Sequence, residues 1–132
     1  MNRLEAKVES IKSMEKLTLV NFSFNKQELQ MISLGLSSEV KVGSSVVLGV
    51  KSTSISLAKN LQGSISTSNK IECVVGSVDN GKLLTSVELE IGDASLESLI
   101  TQEASLSMNL QAKDEITVLI KASDLSILEL KE

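Results

Sequence analysis

Histidine, tryptophan, tyrosine and proline are all absent from this 132-residue chain, and cysteine occurs once. Without histidine there is no Ser-His-Asp or Cys-His arrangement, no imidazole metal ligand and no ordinary general base tuned near neutral pH. The expectation is a protein that is not an enzyme. One cysteine excludes a disulfide within the chain and fits a reducing cytoplasm. Cys73 lies in the alternating run Ile71-Cys73-Val75 and reads as a buried small hydrophobe rather than a reactive thiol. No apolar run approaches the ~20 residues that span a bilayer. Glu5 and Glu9 fall where a signal peptide would need an unbroken apolar core, so no membrane partner and a cytoplasmic location are expected. Positive charge is also scarce: 13 basic residues stand against 17 acidic, for a net charge of −4. The basic residues are scattered, which argues against direct nucleic-acid binding.

What the chain has in abundance is Leu, Val, Ile and Ser in period-2 order. Leu4, Ala6 and Val8 alternate with Glu5, Lys7 and Glu9, the pattern of a strand with one wet face ending at Ile11. A second strand runs from Leu17 to Phe24, with Val20, Phe22 and Phe24 on one side. Glu28 to Leu34 makes a third, Ser45 to Lys51 a fourth and Ser54 to Leu57 a fifth; Leu36 to Val42 is read as at most one helical turn. Residues 58–68 turn polar and form the best linker, although Ser64-Ile65-Ser66 is a candidate edge strand.

The second half repeats the plan with Ile71 to Val78, Leu84 to Ile91, Leu96 to Thr101, Glu115 to Lys121 and Leu125 to Leu130. Asn80-Gly81 is a hairpin signal. A helix over Gln102 to Leu110 separates the third and fourth strands, with Leu106, Met108 and Leu110 as its core contacts. Placing Asn2 on Asn69 (69 − 2 = 67) also aligns Leu17 with Leu84, Thr18 with Thr85, Val20 with Val87 and Leu29 with Leu96. By Lys51 and Lys121 the offset is 70 (121 − 51 = 70), so three extra residues lie in the helical connection, where insertions belong.

Five short strands with a helix before the fourth are the plan of a small closed barrel. The fold class expected is mainly β: two tandem small OB-like five-stranded β-barrels, with a short helix in the second. The halves are 1–60 and 61–132; an unrelated pair of small sheets is the alternative. Units of roughly 60 residues are marginal alone, so tight pairing or a homo-oligomer is expected. Each half closes on a lysine leaving an apolar strand into small and hydroxyl residues: Lys51-Ser52-Thr53-Ser54 and Lys121-Ala122-Ser123-Asp124. Such a corner suits an anion. Glu88 and Glu90 read as a wet strand face, because no partner is spaced to complete a site with them.

The order of motifs resembles the Mop or TOBE domain of molybdate-binding proteins. The likeness is fullest in Ile65-Ser66-Thr67-Ser68-Asn69-Lys70-Ile71, then Leu99-Ile100-Thr101-Gln102-Glu103 and Leu119-Ile120-Lys121-Ala122-Ser123. The tandem copies are similar to the di-Mop arrangement. This resemblance implies molybdate or tungstate as the bound ligand, with no organic cofactor and no metal ligands. It implies Ser66 as a hydroxyl donor, Ser68 at the place of a family arginine, Thr101 from the third-strand end, Lys121 as counter-charge, and Ala122 and Ser123 as backbone or hydroxyl donors. In the first half Lys51, Ser52 and Thr53 carry over, while Leu34 stands where the threonine should be.

A tetrahedral dianion needs converging oriented donors more than net positive charge. The function expected is therefore storage, buffering or sensing of the oxyanion in the cytoplasm. The alternative is a degenerate TOBE-like interaction module that no longer binds ligand, which the loss of arginine at Ser68 favours, since a lysine cannot reproduce its planar fork.

Overall fold

A computed structural model of the chain describes residues 1–131. The first half forms β1 (Asn2–Met14), β2 (Leu17–Phe24), β3 (Gln27–Ser33), β4 (Ser45–Val50) and β5 (Ser56–Ala58). The second forms β6 (Asn69–Asn80), β7 (Leu84–Ile91), β8 (Ala94–Thr101), the helix α1 (Gln102–Met108), β9 (Glu115–Ile120) and β10 (Ser126–Lys131). The molecule is mainly β, as expected. The repeat is structural as well: β2 and β7 are equivalent end to end, and both first strands carry a bulge at the same place, between Val8 and Ser10 and between Val75 and Ser77.

The two five-stranded sheets do not coincide with the two halves. Their orders are β10-β4-β1-β2-β3 and β5-β9-β6-β7-β8, so each half gives its fifth strand to the other. The division at residue 60 therefore separates sequence repeats, whereas each sheet draws on both. All neighbours are antiparallel, Leu48 facing Ile127 on one side and Leu57 facing Val118 on the other. Gly49 makes room for the exchange: a Cβ there would lie 2.7 Å from the side chain of Leu128, the residue at the bulge of β10.

β4 and β9 are buried on both faces, because each lies between two strands and under the other layers, which is why both read as continuous apolar runs. A single apolar cluster joins Leu4, Phe22 and Leu48 to Ile71, Leu89 and Val118. Across the seam Gln27 donates to Glu72 O at 3.3 Å and accepts from Glu72 N at 3.0 Å. Outside the core, Lys59 Nζ donates to Met108 O, Asn109 O and Asp114 Oδ2, tying the connection after β5 to the end of α1. The Gln111 backbone N–H, and then Lys59, hold the Asp114 carboxyl below its usual range.

Several expectations need correction. Residues 36–42 form non-helical turns, and Ser64-Ile65-Ser66 pairs with no sheet. The fifth strand starts at Ser56, since Ser52–Ser54 close into a 3-10 turn instead. α1 ends at Met108 with Asn109 in the left-handed region, and Leu106 is 61% exposed rather than a core contact. Cys73, by contrast, is buried as expected, its Sγ 3.3 Å from Ile116 O, and burial pushes its thiol up to about 12. Among the described residues no helix is long and apolar enough to cross a membrane.

Candidate functional site

The two lysine corners are the crossovers between the sheets. Lys51 leaves β4, the chain turns through Ser52–Ser54, and Ile55 plugs the core at 2% exposure before β5 joins the other sheet. Lys121 leaves β9, the chain turns through Ala122–Asp124, and Leu125 plugs the core at 3% before β10 returns. Small and hydroxyl residues allow these tight 3-10 turns, closed by Ser54 N to Lys51 O and Asp124 N to Lys121 O, both 2.9 Å. Both lysines are exposed, and neither forms an ion pair among the described residues.

The Lys121 turn packs against β3 of the other half. Ser123 lines a groove of about 600 Å³ there, with Ser33, Leu34, Leu125 and Ser126. Asn69 is the register partner of Ile120, so Ser66 and Ser68, just before it, run toward the same corner. Ser66, Ser68 and Ser123 are exposed, and their hydroxyls have no partner among the described residues. Ala122 is buried. Asn69 fixes this end: its Nδ2 donates to Gln30 O at 2.9 Å and its Oδ1 accepts from Gln30 N at 2.6 Å.

The Lys51 turn packs against β8 in the reciprocal arrangement. Ser98 Oγ donates to Ile55 O at 2.7 Å. Asn2 repeats the clasp of Asn69, donating to Glu97 O at 2.9 Å and accepting from Glu97 N at 2.7 Å. Here, however, the hydroxyl of the turn is engaged: Ser52 Oγ donates to Glu97 Oε1 at 3.1 Å, and Ser86 Oγ donates to Glu97 Oε2 at 2.8 Å. Those two bonds, Ser86 first, hold the Glu97 carboxyl below the usual carboxylate range. Thr53 is exposed.

The residues singled out in the sequence thus divide between two corners. Lys121, Ala122 and Ser123 form one turn, and Ser66 and Ser68 precede Asn69, the register partner of the residue before Lys121. Thr101 does not join them: it ends β8, the strand packed on the Lys51 turn, and its Oγ1 accepts from Ala104 N as the cap of α1. Exchange of the fifth strands causes this separation, because the turn after β9 is carried to the first half's third strand. Sequence reasoning missed the clasping roles of Asn2 and Asn69, although their shared repeat position was a signal, and it missed Glu97.

Residues 65–127 match the family model of the TOBE domain. Among solved structures, the cytoplasmic molybdate-binding protein ModG, in a form with molybdate bound, superposes with a TM-score of 0.90 at 20% identity, covering 96% of this chain and 94% of that one. At that identity the likeness is one of fold. A molybdate-binding protein from Sporomusa ovata aligns at 25% identity and a TM-score of 0.49, over 51% of this chain and 100% of its own. No curated protein sequence matches the chain.

Proposed function

We propose that this chain, whose residues 65–127 match the family model of the TOBE domain, is an oxyanion-binding protein. Its ligand is molybdate or tungstate, and its role is storage, buffering or sensing in the cytoplasm without catalysis. Each sheet closes as a small OB-like barrel, a reading supported by the packing of β3 and β8, the edge strands, on the opposite crossover turns.

The observation that carries the proposal is the Lys121 corner, where an exposed lysine without an ion pair among the described residues leaves β9 beside the start of β6, and where Ser123, like Ser66 and Ser68 just before β6, is exposed with its hydroxyl unengaged. Lys121 supplies the counter-charge. The serines, with the backbone of Ala122 and Ser123, donate charge-assisted hydrogen bonds to a tetrahedral dianion, stronger than neutral ones. The fold shared with a molybdate-binding protein adds weight. Lys51, Ser52, Thr53 and Thr101 belong to the second corner, whose hydroxyl at Ser52 is already committed to Glu97.

Calorimetric titration of the assembled protein with molybdate, tungstate and sulfate tests the proposal. Saturable heat with molybdate or tungstate is expected, and none with any of the three overturns it. The rival reading, a module that keeps the fold for association alone, draws on Ser68, where the resemblance places an arginine. A silent titration on folded protein supports it.

A further inference from the structure

The two corners differ in the turn, where Ser52 and Ser54 stand against Ala122 and Asp124, and in the residue held by the asparagine clasp. Gln30 and Glu97 are repeat equivalents (97 − 30 = 67), each clasped through its backbone by an asparagine from the other half. At the Lys121 corner the clasped residue is neutral, and its Nε2 turns away to Asn21 Oδ1 at 3.2 Å. At the Lys51 corner it is a carboxylate that accepts from Ser52 and Ser86, while Asn2 Nδ2 donates to Ser52 Oγ at 3.3 Å.

We infer that Glu97 is a built-in counter-anion that occupies the turn hydroxyl of the Lys51 corner and excludes a diffusible oxyanion from it, leaving the Lys121 corner as the open site. The inference rests on the oxyanion-binding reading. Two features give Glu97 this role. The Asn2 clasp fixes the backbone from which the carboxylate extends, and the hydroxyls of Ser52 and Ser86 each hold one of its oxygens. The wet face around it repels anions as well: Glu97 lines a pocket of about 320 Å³ with Asp79 and Glu88, three negative charges. The repeat equivalents of Asp79 and Glu88 are Lys12 and Asn21; even with Glu28, the equivalent of Ser95, that face sums to zero. A dianion approaching the Lys51 corner meets three carboxylates and a turn hydroxyl already engaged, whereas at the Lys121 corner the turn carries one acid, Asp124, and the Ser123 hydroxyl has no partner among the described residues.

The exchange Glu97→Gln tests this, since glutamine is the residue the fold already accepts at the equivalent position. Bound molybdate per chain, measured by calorimetry and by metal analysis after equilibrium dialysis, is expected to rise by one over the unchanged protein. Adding Lys51→Ala should remove that increment. An unchanged count in folded Glu97→Gln, with Glu97→Ala as a second variant should the first fail to fold, overturns the inference. The increment is independent of the starting count: an unchanged protein that binds nothing refutes the oxyanion reading of the Lys121 corner, while equal counts in protein and variant refute the role of Glu97. The converse exchange Gln30→Glu should weaken the Lys121 corner by at least about tenfold, and unaltered affinity there also counts against it.

Discussion

At the scale of the residue, two asparagines do the same work in different surroundings, and the difference sets how much each matters. Asn69 is fully buried, and its amide satisfies both backbone groups of Gln30. Truncating it leaves a donor and an acceptor without partners where water does not easily reach, so Asn69→Ala should cost about 2–4 kcal/mol. Asn2 is only half-buried, and water can replace it; Asn2→Ala should cost about 1 kcal/mol. Urea unfolding of the two variants checks the order, and equal losses would show that the clasps are not graded by burial. Lys121 is the opposite case, an exposed side chain with no partner to lose. Lys121→Ala should leave stability and native mass unchanged yet weaken molybdate binding by roughly tenfold or more, the scale of one charge-assisted hydrogen bond. Calorimetry beside light scattering separates that result from a loss of structure.

At the scale of the element, reciprocal strand exchange decides what holds the fold together. β4 pairs with β1 on one side and with β10 on the other, and β9 pairs with β6 and β5. Residues 1–60 alone would bare the edge of β4, and residues 61–132 alone the edge of β9, on units already marginal by size. Each fragment should lack a cooperative thermal transition, and an equimolar mixture should regain one; a fragment that melts cooperatively by itself would contradict this. The strands themselves were legible in the sequence. β2 and β7 show clean alternation because one face is buried from end to end. The alternation in β1 stops at Ile11, three residues short of the strand's end, because its last residues leave the core, Lys12 to Met14 being exposed on both faces. The exchange was not legible, since alternation in β5 and β10 states which side is buried and is silent on the neighbour. The lysine corners stood out because they recur. Glu97 did not, because a carboxylate on a wet strand reads like any solvated residue, and the serine that engages it comes from 45 positions away in the other half.

At the scale of the whole molecule, apolar side chains remain that neither sheet covers. Met14 and Leu17 are register partners at the tip of the β1–β2 hairpin, exposed by 78% and 43%. Leu83 and Leu84 occupy the tip of the equivalent β6–β7 hairpin, exposed by 82% and 52%. Burying a leucine or methionine side chain is worth roughly 1.5–3 kcal/mol, and a net charge of −4 spread over the surface opposes contact between copies only weakly in salt. Two like patches at equivalent positions suit a symmetric contact with further copies of this chain, in which each copy offers the same tips. The protein should therefore run in light scattering as a multiple of its 14.1 kDa chain. Leu17→Glu together with Leu84→Glu should shift it toward the single chain without altering its β-sheet spectrum, because both side chains point away from the core. A mass of one chain across the accessible concentration range would assign the tips to some other partner and leave the Lys121 corner complete within a single chain.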